Sequence, residues 1–179
     1  MMNIFLIGYR CVGKTTVGKS IARMMGRSFV DSDMLIVQES GQSIQKIVDT
    51  EGWNVFRSME RSTLKKISKK DRQVIATGGG MVLNTDNAEK MKKSGTIIWL
   101  RATTLTILER ILQDENTGNL RPALTDKGLK EEIEETLLER NPYYENASDF
   151  FINTNGIGVA EISKTIIRKI KEMGVENVF

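Results

Sequence analysis

Histidine is absent from the 179 residues, and cysteine occurs once, at Cys11. The first absence removes histidine metal sites, Ser-His-Asp triads and imidazole general bases. The second removes an internal disulfide and any multi-cysteine zinc site. Proton transfer is left to a carboxylate, a lysine, a tyrosine or the one thiol. No apolar run approaches the ~18 residues of a membrane span. No basic leader with a cleavage site precedes the first apolar run, residues 3–7, so the expectation is a soluble cytoplasmic chain without a membrane partner. Excess charge is also scarce, at +3 from 26 basic and 23 acidic side chains. That suits an anionic ligand and is too little to argue for nucleic acid. The basic cluster Lys65, Lys66, Lys69 and Lys70 recurs at helical spacing and reads as a solvated helix face.

What is present is an ordinary globular composition, 40% hydrophobic and 27% charged, in a length that supports one sizeable core. The expectation is a single domain over residues 1–179, working as a monomer. Short apolar runs at 3–7, 28–31, 73–77, 96–100 and 150–152 read as strands. Helical periods separate them. One covers 14–25, with Val17, Ile21, Met24 and Met25 inward and Gly26 placed to stop it. Two or three more fill 34–70, and others cover 86–93, 104–112 and 127–140, the last stopped near Pro142. A final helix over 160–173 turns Ile162, Ile166, Ile167, Ile170 and Met173 inward. Apolar strands alternating with helices predict a three-layer α/β/α domain around a five-stranded parallel sheet. Two insertions interrupt it, about 32–61 and 112–126.

Residues 8–15 read GYRCVGKT and fit G-x-x-x-x-G-K-[ST] in full, with a strand before and a helix after. Gly8 and Gly13 let the loop curl so that successive N–H groups point inward, those of Cys11 and Val12 included. The helix N-terminus adds its dipole, Lys14 reaches the β- and γ-phosphates, Thr15 offers a hydroxyl to Mg²⁺, and Thr16 supports the α- and β-phosphates. Cys11 sits at a variable position, as a small filler. The implied ligands are ATP and Mg²⁺. The Asn-Lys-x-Asp pattern of GTPases is missing, since residues 84–87 read NTDN, and the chain is short for a motor ATPase. A small phosphoryl-transfer enzyme remains.

Strand two ends in Asp31-Ser32-Asp33. Two residues apart on extended chain, both aspartates can face one side, one toward metal-bound water and the other toward an acceptor hydroxyl. The same triplet suits a turn or a helix cap, and both readings stand. Arg57 and Glu60 fall at i, i+3, the spacing of an ion pair. Gly78, Gly79 and Gly80 directly follow a buried strand, where a flexible turn is justified by close approach of backbone to a ligand. Arg121 lies in the second insertion as a candidate lid arginine, and Arg140 near the end of an acidic helix, where it also suits a cap.

Together, the loop at 8–15, Asp31-x-Asp33, Phe56-Arg57-x-x-Glu60, Gly78–Gly80, Arg121-Pro122 and Arg140-x-Pro142-x-Tyr144 stand in the order and spacing of the shikimate kinases, which the chain resembles from about residue 3 to 171. The resemblance implies the nucleoside-monophosphate-kinase fold with strand order 2-3-1-4-5. It implies phosphorylation of shikimate at its 3-hydroxyl by ATP, in aromatic amino-acid biosynthesis. It further implies that Asp33 engages the acceptor hydroxyl, that Arg57 and Arg140 hold the shikimate carboxylate, and that Glu60 positions Arg57. Gly78, Gly79 and Gly80 line the substrate, Arg121 contacts nucleotide phosphate, and Arg110 and Asn155 lie near the adenine. Two departures stand out. Trp53 follows Gly52 where the family usually has glutamate, and is expected to pack at the edge of the substrate-binding segment. Residues 153–156 read NTNG, without the usual aspartate and proline. A gluconate-kinase-like or nucleotide kinase, and a catalytically inactive nucleotide-binding regulator, are the competing readings.

Overall fold

The structure, a computed structural model, describes residues 2–113 and 128–174. Five strands, β1 (Asn3–Ile7), β2 (Ser28–Asp31), β3 (Gln73–Ala76), β4 (Gly95–Arg101) and β5 (Phe150–Asn153), form one sheet in the order β2-β3-β1-β4-β5. Every pairing is parallel, with Leu6 beside Ala76 on one side and Ile98 on the other. The expected order is therefore the observed one. Side chains alternate across the sheet, so β1 sends Ile4 and Leu6 into one core and Phe5 and Ile7 into the other. Strands buried on both faces need an unbroken apolar run, which is why β1 reads NIFLI.

Helices α1 (Lys14–Met24), α6 (Thr104–Gln113), α7 (Leu129–Ala147) and α8 (Val159–Glu172) follow β1, β4, the second insertion and β5, and α5 (Thr85–Ser94) leads into β4. Between β2 and β3 the chain makes α2 (Ser32–Ser40), α3 (Ile44–Glu51) and α4 (Trp53–Ile67), which extend past the expected boundary at residue 61. Ile36, Ile44, Ile47 and Phe56 give this excursion a small core of its own. No helix among the described residues is long and apolar enough to cross a membrane.

Three expectations are corrected. Met24 and Met173 do not face inward; both are about half exposed, because each falls in or beyond its helix's last turn, past the core rows Val17-Ile21 and Ile162-Ile166-Ile170. Gly26 does end α1 at φ 59°, with the Arg27 N–H donating to the Ala22 carbonyl. The third correction is Pro142, which lies inside α7 rather than stopping it. The carbonyl that loses its partner there is that of Leu138, which is 80% exposed, so water can serve it. Buried Tyr144 and Ala147 hold the last turn down. A smaller shift occurs at Thr77, which leaves β3 but keeps its N–H and hydroxyl on the Leu6 carbonyl.

Candidate active site

The order β2-β3-β1 sets the C-terminal ends of three strands side by side, where ligands bind in open α/β sheets. β1 feeds the phosphate loop. Its backbone enters left-handed or related positive-φ conformations at Gly8 (132°), Cys11 (60°) and Gly13 (100°). A Cβ on Gly8 would collide with the Leu100 carbonyl, so glycine is required there on two counts. Lys14 is buried, and its Nζ donates to the carbonyls of Gly8 (2.8 Å) and Tyr9 (2.7 Å), bracing the curl. Val12 is buried beneath the loop, whereas Thr15 and Thr16 are exposed on the first turn of α1.

β2 contributes Asp31, for which the two readings prove compatible. Its Oδ1 caps α2 by accepting from the N–H groups of Asp33 (3.1 Å) and Met34 (3.3 Å), while Oδ2 accepts from the Thr15 hydroxyl at 2.7 Å. This sets two hard oxygen donors side by side at the mouth of the phosphate loop. Asp33, in the first turn of α2, is buried and faces the turn after β3. A Cβ on Gly78 would lie 2.5 Å from Asp33 Oδ1 and 2.6 Å from Glu60 Oε1. The Ser32 hydroxyl accepts from the Gly78 N–H at 2.9 Å. At Gly80 a Cβ would run into the Arg57 guanidinium. Absent side chains at 78 and 80 are therefore what let α2 and α4 close on this turn.

Arg57 Nη1 donates to Glu60 Oε2 at 2.5 Å, the i, i+3 pair expected from the spacing. Arg140 is nearly buried in the middle of α7, not at its end, so the cap reading is set aside. Its Nε meets no protein acceptor. Asp33, Arg57, Glu60, Gly78, Gly79, Gly80 and Arg140 all line one open pocket.

Tyr9, Arg10 and Trp53 also line this pocket, and the sequence pattern gives none of them a ligand-binding role. Arg10, in the variable part of the phosphate loop, is ion-paired with buried Glu132 of α7. Tyr9 lies beside that pair, its hydroxyl 3.4 Å from Glu132 Oε1. Trp53 does more than pack at an edge: the Arg57 guanidinium lies over its ring, 5.2 Å from the centroid, and over that of Phe56 at 5.6 Å. On the other side of the loop, Arg110 donates to the Cys11 carbonyl (3.2 Å), the Thr154 hydroxyl (3.1 Å) and the Thr154 carbonyl (2.7 Å). Asn155 Oδ1 accepts from the Thr103 N–H at 2.9 Å. Arg110 thus ties the phosphate loop to the NTNG loop despite its unusual sequence. Arg121 lies outside the described residues.

Burial is the main force on Glu60 and raises its pKa from 4.5 to about 7; Arg57 opposes the shift, Asp33 adds to it and Arg140 opposes it again. Between those two values the folded protein holds a proton that the unfolded chain has released. The stabilisation is complete below about 4.5 and is lost as pH rises through about 7. Glu60→Gln removes this titration. The stability of the natural protein relative to the variant should therefore decline by on the order of 1–3 kcal/mol between pH 5 and pH 8, read by urea unfolding at both. A difference that does not move with pH would contradict the buried, proton-holding state.

A curled phosphate loop on a 2-3-1-4-5 sheet, beside a pocket lined by three arginines and two carboxylates, defines a P-loop phosphotransferase of the small-molecule kinase class. The particular family follows from comparison. The family model for shikimate kinase matches residues 10–171. A shikimate kinase of Thermodesulfovibrio yellowstonii is 42% identical, with 97% of each chain covered, and one of Syntrophus aciditrophicus is 41% identical over 94% of this chain and 91% of its own. The structure of shikimate kinase from Acinetobacter baumannii in complex with shikimate superposes with a TM-score of 0.91 at 30% identity, covering 98% of this chain and 96% of that one. The chain belongs to the shikimate kinase family, and its activity is the shikimate kinase step of aromatic amino-acid biosynthesis.

Proposed function

We propose that the pocket between the phosphate loop and helices α2 to α4 takes shikimate, and that this chain transfers the γ-phosphoryl group of ATP to the 3-hydroxyl. The observation that carries the reading is convergence. Arg57 and Arg140 stand 83 positions apart in the chain and line one pocket together with Asp33 and the Gly78–Gly80 turn. Two guanidinium groups suit a planar carboxylate, which accepts paired N–H bonds. The exposed backbone of Gly79 and Gly80 lets a polar ring lie close. Asp33 takes the proton of the acceptor hydroxyl as its oxygen attacks the γ-phosphorus, and ADP departs on the far side. Positioning and charge neutralisation do the rest. Lys14 exchanges its two carbonyl partners for phosphate oxygens.

The donors at the loop mouth fit Mg²⁺. The Thr15 hydroxyl and the Asp31 carboxylate are adjacent hard oxygens, and no cluster of three or more acidic or cysteine residues among the described residues could hold a metal by itself. That matches an ion shared with substrate phosphates and water rather than caged by protein. Thr15 and Asp31 would hold it, and its charge would neutralise the phosphates. Arg110 and Asn155 border the adenine, with the Cys11 and Val12 backbone beneath the phosphates. Arg121 keeps the nucleotide-phosphate contact that the family pattern gives it. The segment 32–61 serves as the substrate-binding part of a single domain and 112–126 as its lid. We take a monomer as the working unit.

The direct test is ADP release in a coupled assay with ATP and Mg²⁺, shikimate and gluconate being compared as acceptors. ADP should form with shikimate and match shikimate 3-phosphate by mass and NMR. Equal rates with gluconate would overturn the reading.

A further inference from the structure

Tyr144 closes the motif that begins at Arg140, and the acceptor site described above gives it no task. The side chain is 1% exposed, packed against Trp99 with ring centroids 5.7 Å apart. A phenol buried this deeply needs a partner for its hydroxyl. Tyr144 finds one in the turn after β3. Its O–H donates to the Gly79 carbonyl at 2.6 Å. One helical turn back on the same face of α7, Arg140 brings a positive charge toward the phenol and opposes the burial that pushes it strongly toward its neutral form. Gly79 in turn lies against the phosphate loop: a Cβ there would be 3.5 Å from the Gly8 carbonyl oxygen and 3.9 Å from the Arg10 nitrogen.

We infer that Tyr144 is a positioning residue for the acceptor site, its single hydroxyl holding the Gly79 backbone and the Arg140 guanidinium in register. The inference rests on the reading of that pocket as the shikimate site. The reasoning is geometric. Arg140 sits on α7, and Gly79 on a three-glycine turn with little stiffness of its own. Packing against Trp99 fixes the phenol ring, so its oxygen is a fixed point to which both can be referred. Arg140 Nε has no protein acceptor, so protein does not hold the guanidinium at that nitrogen, and the phenol one turn away on α7 is placed to orient it before substrate arrives. Preorganisation of this kind acts on acceptor binding and leaves the nucleotide side alone.

Tyr144→Phe removes the hydroxyl and keeps the ring on Trp99. Steady-state kinetics of Tyr144→Phe, Arg140→Ala and the double variant should be measured beside their melting temperatures. The expected result is a shikimate KM raised about 5- to 20-fold in Tyr144→Phe, the scale for losing a buried hydrogen bond and the orientation it gives a neighbouring charge. The KM for ATP should stay within about twofold, and the effect of Tyr144→Phe should shrink when Arg140 is already alanine. If Arg140→Ala weakens shikimate binding and Tyr144→Phe does not, the positioning role is overturned while the site reading stands. If Arg140→Ala leaves the shikimate KM unchanged, the site reading falls and takes the positioning role with it. Equal increases in both KM values of Tyr144→Phe would mark a general structural role and overturn the inference.

Discussion

Turnover of Lys14→Ala should fall by about 10²-fold or more, the expected scale for losing a fixed charge aimed at the transferring group. Lys14 is the only lysine in the phosphate loop at 8–15, and its Nζ already lies within the curl, on the Gly8 and Tyr9 carbonyls. As charge develops on the γ-phosphoryl oxygens, an ammonium held in place lowers the barrier without first having to reorganise. Alanine removes the cation and also leaves two loop carbonyls without their donor, so some loss of stability should accompany the loss of rate. Melting temperatures read beside kcat separate the two effects. A variant with near-normal turnover would remove the phosphate-loop assignment.

Asp33→Asn should give the other large loss, of a different kind. Asparagine keeps the shape of the side chain and its contact beside Gly78, where no Cβ intervenes. Shikimate should still bind, within a few-fold of the natural affinity. The amide cannot accept the hydroxyl proton, and loss of a positioned base costs about 10²- to 10⁴-fold in turnover. A KM-against-kcat comparison distinguishes the two roles. An Asp33→Asn enzyme of normal rate would show that the proton leaves by another route.

Much of this molecule was legible in its residues, for identifiable reasons. Strands covered on both faces must be apolar throughout, so β1 and β4 stood out, and the phosphate loop carries its own backbone chemistry in Gly8, Gly13 and Lys14. Strand order came from family resemblance, since nothing in β2 or β3 alone says which neighbour each will take. Local rules failed where tertiary packing outweighs them. Pro142 reads as a stop, yet α7 continues because Tyr144 and Ala147 are buried beyond it. Arg140 consequently sits in mid-helix and faces the pocket instead of capping an end.

Glu132 lies in an acidic run with Glu131, Glu134 and Glu135, and no spacing marks it as the one buried against Arg10. Arg10 occupies a position that the loop pattern leaves open. Its direction is decided by the curl between Gly8 and Gly13, which only three-dimensional geometry supplies. Trp53 read as a departure from pattern, and its contact with the Arg57 guanidinium depends on how α4 begins at Gly52, whose φ is 84°.

The convergence of Arg57 and Arg140 on one carboxylate is the central claim, and calorimetric titration of shikimate into the natural protein, Arg57→Ala and Arg140→Ala tests it most directly, with ATP titrated into the same samples. Each variant should bind shikimate about 2–5 kcal/mol more weakly, the range for truncating one partner of a buried charge pair. ATP affinity should barely move, because the phosphate loop is untouched. Unchanged shikimate affinity in either variant, or equal losses for shikimate and ATP, would contradict it.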